Sequence, residues 1–327
     1  MKEKVMITGA SGFLGFHIIK AALENNLEVY AAIRKNSDVT HLKDLPVSFT
    51  YIDFANVESL QHEIESKQYN YIIHAAGTTK AKNQDEYNTV NATYTFNLAR
   101  AAELAKAPFK KLVFISSIAA LGPLKNYDET IDEITSPCPV TSYGKSKLMA
   151  EKKIRELSVP LIILRPTAIY GPRDKDIFII FKSIKKGIEP YIGKLNQQLS
   201  FVYAKDVATV AVNSLFSEYN GSYNLSDGNC YSRYDLANYL KKYLRTKTVK
   251  FHLPVGMVRA LAITMESSYK ILNKIPALNE EKINELSAAN WVCNIEKAKR
   301  ELGFKPVYNL EAGVKESLDW YKKNNWL

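Results

Sequence analysis

The sequence predicts an α/β protein, a doubly wound parallel sheet with helices on both faces, followed by a smaller mixed α/β C-terminal lobe. Three observations predict it. Short β-branched runs alternate with longer amphipathic ones through the first half of the 327 residues, glycines stand between the first such pair, and the alternation breaks down beyond Pro172.

Six apolar runs read as strands: KVMITG, EVYAAIR, SFTYID, YNYIIHAAG, KKLVFISS and PLIILRP. Between them, Phe13 to Asn25, Val57 to Ser66, Glu86 to Lys106 and Tyr143 to Leu157 carry apolar residues at three- and four-residue spacing, which is helical. Beyond Pro172 come four further helical segments, Ile177 to Lys186, Asp206 to Ser217, Arg233 to Leu244 and Val255 to Leu272, with isolated short strands among them. Residues 1–172 are expected to form a dinucleotide-binding domain, with segments around 200–230 returning to it, and residues 173–327 mainly a substrate-binding lobe. No polar linker separates the two, so they should pack as one unit with a cleft between them, the default ligand site.

The formal net charge of +10 is spread over helical segments such as KSIKKG and YLKKYLRTK, without any nucleic-acid-binding motif. Attraction of phosphate-bearing ligands is its expected use. Cys138, Cys230 and Cys293 are far apart and lack zinc or disulfide spacing, so inert, partly buried thiols and no metal are expected. No stretch approaches the roughly 20 apolar residues of a membrane span, and MKEKVMITGA runs straight into a strand, which reads as a soluble, cytoplasmic protein.

The run VMITGASGFLG sets Gly9, Gly12 and Gly15 three residues apart between the first strand and first helix. Glycines there let the chain turn tightly and bring backbone N–H groups and a helix N-terminus to a pyrophosphate, the Rossmann-type arrangement. Ser11, Phe13 and Leu14 lie in the same turn and join the cofactor-binding set. At the second strand's end, AAIRKNS offers Arg34, backed by Lys35, in place of a carboxylate for a ribose 2′-hydroxyl. NADP is therefore favoured and NAD kept open; the alternative is that Arg34 is a solvated loop charge. Asp53, with Phe54 beside it, is positioned to accept the adenine amino group or to cap a helix. Ala75, Ala76 and Gly77 are small enough for a cofactor to lie against backbone, and Pro166 and Ala168, closing the sixth run, complete the set.

Tyr143 and Lys147, in TSYGKSK, share one helix face. A phenol of pKa about 10 is a poor base near neutrality, but the neighbouring ammonium and a nicotinamide cation favour phenolate, so that Tyr143 can exchange a proton with a carbonyl or alcohol oxygen. Lys147 would also bond the nicotinamide ribose. The fifth strand ends in Ser116 and Ser117, where a hydroxyl can hold a substrate carbonyl.

With TGASGFLG, VFISSIAALG and YGKSK, and later RPTAIYGP, FVYAKDVA, KAKRELGFKP and WYKKNNWL, the chain resembles an extended short-chain dehydrogenase/reductase of the NAD-dependent epimerase/dehydratase superfamily over nearly its whole length. The resemblance implies Ser117, Tyr143 and Lys147 as catalytic residues, and Asn91, in NTVNATYTFN, as the asparagine that supports the lysine through water. Three departures from the family's pattern stand out. Tyr94 replaces a glycine of helix packing; Ile118 and Ala119 follow Ser117 where dehydratases carry Asp-Glu; and Leu199, in QLSFVY, stands where members acting on nucleotide sugars carry an arginine for the diphosphate.

What remains is similar to the ketone-reducing branch, the dihydroflavonol reductases and 3β-hydroxysteroid dehydrogenases, including Arg34 and an apolar-rich helical segment near residues 254–290. That segment, LPVGMVRALAITMESSYKIL, is read first as a core helix of the second lobe, with a pocket wall or a membrane-surface contact as alternatives. The resemblance further implies a homodimer through Asn91 to Lys106 and Tyr143 to Leu157. The expected activity is hydride transfer between NADP and a carbonyl or alcohol carbon of a small molecule. Nucleotide-sugar epimerisation without net redox change is the alternative, and a non-catalytic cofactor-binding sensor a second one.

Overall fold

The computed structural model describes residues 2–271 and 279–327, and the side chains of all of these but 265–271. Leu272, the expected end of the fourth C-terminal helix, lies outside the described residues. The six apolar runs form β1 (Lys4–Thr8), β2 (Glu28–Ile33), β3 (Val47–Tyr51), β4 (Tyr71–His74), β5 (Lys111–Ile115) and β6 (Leu161–Pro166). The helices between them are α1 (Phe13–Glu24), α2 (Val57–Lys67), α3 (Gln84–Asn88), α4 (Tyr94–Leu104) and α5 (Ser142–Arg155). After β6 the chain builds β7 (Ala168–Tyr170), α6 (Phe178–Lys185), β8 (Ile188–Ile192), β9 (Gln198–Leu199), β10 (Phe201–Tyr203) and α7 (Ala204–Asn213), then returns to the sheet as β11 (Gly221–Leu225). It closes with β12 (Tyr231–Ser232), α8 (Asp235–Leu244), β13 (Val249–Leu253), α9 (Val255–Ile271), α10 (Glu280–Ser287), α11 (Glu296–Leu302) and α12 (Leu310–Lys323).

The main sheet is parallel throughout, in the order β11-β6-β5-β4-β1-β2-β3. Alternation along each strand feeds two cores. In β1, Val5 and Ile7 join α1 and α7 on one face, while Met6 joins α2, α4 and α5 on the other. Each such side chain, fully buried, stabilises the fold by roughly 1.5–3 kcal/mol. A third core, with Tyr170, Phe181, Leu240 and Tyr321, ties α6 and α8 to α12. Strand order reverses between β1 and β4, which opens a crevice at their C-terminal ends.

Three expectations are corrected here. The segment Glu86 to Lys106 is not one helix: a π-helical turn, Thr89–Thr93, separates α3 from α4, and nothing in its apolar spacing announces it. Tyr94 leaves no packing defect, because its ring stacks on Phe54 with centroids 5.9 Å apart. Cys138 and Cys230 sit in exposed loops, and of the three cysteines Cys293 alone is buried. Among the described residues no helix is long and apolar enough to cross a membrane, and no cluster of His, Cys, Asp and Glu could hold a metal.

Candidate active site

The turn after β1 depends on Gly9, whose φ of +68° is left-handed and whose missing Cβ would lie 2.7 Å from the Ala75 carbonyl oxygen. Gly12 then caps α1 without a side-chain acceptor, and the first turn carries no acid. A Cβ on Gly12 would meet only Gly9 O, at 3.1 Å. Open backbone donors at the start of a 12-residue helix, facing free space at a strand-order switch, fit the pyrophosphate of a dinucleotide. Ser11, Phe13 and Leu14 are half-buried around this turn.

Arg34 lies directly after β2, its backbone fixed by a tight turn with Ser37 and its side chain exposed. Asp53 is exposed two residues past β3 and accepts from Ala55 N at 2.9 Å. The helix cap considered for it is supplied instead by Asn56, which accepts from Ser59 N. Ala75, Ala76 and Gly77 follow β4; a Cβ on Gly77 would stand 3.3 Å from Lys147 Nζ, so only a glycine leaves that ammonium uncrowded. Pro166 is buried in β6, whereas Ala168 is exposed at the cavity wall.

Tyr143 reaches the site because Thr141 caps α5, accepting from Gly144 N at 3.0 Å. Gly144 lets the helix approach the loop after β5, since a Cβ there would fall 2.3 Å from Ala119 O. Ser117 Oγ accepts from Ala119 N, and its hydroxyl, near the Tyr143 side chain, acts to lower the phenol. Burial nevertheless pushes the phenol up to about 12, more than Ser117 lowers it. The expected phenolate is thus not favoured by this arrangement, and the buried Lys147 ammonium donates to Ile115 O at 2.9 Å. Burial brings that ammonium down to about 8, against the opposing pull of Glu151. Ser116, expected beside Ser117 in the crevice, points the other way: it is buried and donates to Glu151 Oε1 at 2.6 Å, in a network with Arg165.

Asn91, fully buried in the π-helical turn, accepts from Thr78 N and donates to Thr78 O and Ser146 Oγ. A turn of this kind, inserted into a helix, commonly marks a functional site. Beneath it runs a chain of bonds that sequence reasoning missed. Thr95 Oγ1 donates to Asn91 O and so accepts from His74 Nε2; His74 Nδ1 then accepts from Thr8 Oγ1, which itself accepts from Ala76 N. Burial holds His74 neutral, down to about 3. The available signals were the paired register of Thr8 with His74 and the four-residue spacing of Asn91 and Thr95.

A cavity of about 630 Å³ opens from Ser117 and Tyr143 into the C-terminal lobe. Ile184, Ile192, Leu199, Phe201, Leu236 and Trp291 are among its walls. Away from Ser117 and Tyr143, most of its polar groups are engaged within the protein. Gln197 donates to the carbonyls of Leu286 and Ala288, Ser183 to Ile188 O, and Ser200 to Asn229 O. Glu189 binds Lys241 and Thr248, and Lys282 pairs with Glu285. Arg233 holds the carbonyls of Ile192 and Leu195, and its Nε is the one buried polar atom of the wall without a partner among the described residues.

Comparison with known proteins places these features in a family. A family model described as the NAD dependent epimerase/dehydratase family matches residues 5–225. The sterol-4-alpha-carboxylate 3-dehydrogenase (decarboxylating) of Schizosaccharomyces pombe is 28% identical, covering 97% of each chain. The ceramide reductase of Caulobacter vibrioides is 24% identical over 99% of this chain and 96% of its own. Among solved structures, the UDP-glucose 4-epimerase of Thermotoga maritima with UDP-glucose superposes with a TM-score of 0.79 at 19% identity, covering 98% of this chain and 99% of that one.

Proposed function

Because the chain belongs to the NAD dependent epimerase/dehydratase family, we propose that it reduces a carbonyl carbon of a largely apolar small molecule, with NADPH as the hydride source. The observation that carries this reading is the cavity: its wall is mainly carbon, its polar groups other than Arg233 Nε are largely engaged elsewhere, and the hydroxyls of Ser117 and Tyr143 line it too. A ligand there finds donors for one carbonyl oxygen and hydrophobic contact for the rest. Two relatives are named for lipids, a sterol-4-alpha-carboxylate and a ceramide, which supports a largely apolar substrate.

The dinucleotide, when bound, supplies the hydride. Gly9 to Gly15 and the start of α1 would hold its pyrophosphate, Arg34 its 2′-phosphate, and Asp53 with Phe54 its adenine end. Ala75, Ala76, Gly77, Pro166 and Ala168 would form the floor under its nicotinamide half, with Lys147 on the ribose. Ser117 holds the substrate oxygen and Tyr143 Oη delivers the proton; a phenol raised to about 12 is fully protonated near neutrality, the form that reduction needs. Asn91 keeps its turn and Thr78 in place around the ammonium. The division at residue 172, a homodimer through α4 and α5, and a cytoplasmic location belong to the same proposal.

Nucleotide-sugar epimerisation would use the same hydroxyls, but Leu199 in the wall offers a diphosphate no charge. The test is a panel of apolar ketones and UDP-hexoses, run with NADPH and with NADH. Oxidation of NADPH with apolar ketones, faster than of NADH, is expected. Hexose interconversion without loss of reduced cofactor would replace this reading with the epimerase one.

A further inference from the structure

β13 and β8 form a separate two-stranded parallel ribbon in which Val249 pairs with Ile188, Phe251 with Pro190, and Leu253 with Ile192. Residues paired across such a ribbon share a face, so these six apolar side chains occupy one side. The other side carries Glu189, Tyr191, Lys250 and His252, which meet Lys241 and Tyr234. The apolar side runs from solvent into the cavity. Val249 is 72% exposed and Ile188 44%, while Pro190, Ile192 and Leu253 line the cavity itself. At the same lip, α6 presents Ile179, which is 66% exposed and also lines the cavity.

The charge beside the exposed end of this carbon is of one sign. Residues 179–188 and 245–249 contain Lys182, Lys185, Lys186, Arg245 and Lys247 and no acid; Glu189, engaged by Lys241 and Thr248, and Lys250 lie on the far side of the ribbon. Lys185 and Lys186 end α6 just before Ile188, and Lys247 precedes Val249 by two residues.

We propose that this face docks the cavity mouth on an anionic phospholipid bilayer, so that substrate enters from the membrane. Exposed aliphatic residues ringed by lysines complement the acyl boundary and the phosphates of such a surface. A second copy of the chain complements it poorly, because a twofold contact through this face would set the lysines of one copy against those of the other.

The test is co-sedimentation of the full chain with vesicles of phosphatidylcholine alone and with about one-third phosphatidylglycerol. Binding to the anionic vesicles, weakened by salt, is expected. Val249→Glu should lower the partition coefficient about tenfold or more, and Lys185→Glu with Lys186→Glu about fivefold per residue, with NADPH-linked turnover of a water-soluble ketone unchanged. Failure of the wild-type chain to sediment with anionic vesicles, or undiminished binding by both variants, overturns the proposal. So does light scattering in which Val249→Glu converts a dimer to a monomer. The docking needs no turnover to be read: absent binding with intact reduction sinks the docking alone, and binding without reduction sinks the function proposed above.

Discussion

The strand-end crevice and the cavity behind it use polar groups in opposite ways. In the crevice, Thr8, His74, Thr95 and Asn91 pass hydrogen bonds from one to the next and hold a loop, a π-helical turn and a buried ammonium in one arrangement. In the cavity wall, Glu189 and Gln197 bond into the protein, as does Arg233 through both terminal nitrogens, so that most of what faces the ligand is carbon. In the proposed reaction the first region fixes where a proton moves, and the second selects by shape and hydrophobic contact. Removing a polar atom should therefore be costly in the crevice, and adding one costly in the cavity.

The largest effect that would break this comparison is at Tyr143. Tyr143→Phe removes the proposed proton donor and is expected to lower kcat/KM about 10²- to 10⁴-fold while dinucleotide affinity, measured by fluorescence titration, stays the same. Undiminished turnover would move the chemistry elsewhere. Next comes Leu199→Arg, which puts an unpaired charge into the wall. About a 10²-fold fall in kcat/KM for an apolar ketone is expected, mostly in KM, and an unchanged KM would mean that the cavity does not hold the substrate.

A smaller effect sharpens the account of the crevice. His74 is neutral in the fold, its pKa brought from 6.5 down to about 3, so the unfolded chain binds the extra proton between those values. Its contribution is complete above pH 6.5 and is lost as pH falls toward 3. Between pH 7 and pH 5 the wild type should lose about 2 kcal/mol relative to His74→Gln in denaturant unfolding, and a parallel pH dependence would contradict the assigned bond directions. Smallest is Thr141→Ala, which removes the cap of α5 and should cost about 1 kcal/mol of stability.

How much of this was legible in the sequence varies with the range of the interactions. The six strands and Gly9 could be read because alternation and a left-handed turn are local demands. Tyr143 and Lys147 could be read because four residues make one helical turn, and Ser117 because it ends a strand. The π-helical turn around Asn91 could not, since NTVNATYTFN carries no breaker and its apolar spacing suits an unbroken helix. A return around residues 200–230 was expected, but not which run would make it: GSYNL is a short mixed run that becomes a strand only by pairing with β6. The wall was the least legible. Gln197 and Arg233 are polar letters in the sequence, and only the carbonyls of Leu286, Ala288 and Ile192 turn them away from the cavity.

Net hydride transfer to the carbonyl carbon of a largely apolar molecule can be followed with an isotope label. With NADPH deuterated at the transferring position, deuterium is expected on the carbinol carbon of the released alcohol, one per NADPH consumed, and at least about 10²-fold less of it in the same time with Tyr143→Phe. A UDP-hexose converted to its epimer, with no deuterium released and no NADPH consumed, would contradict it.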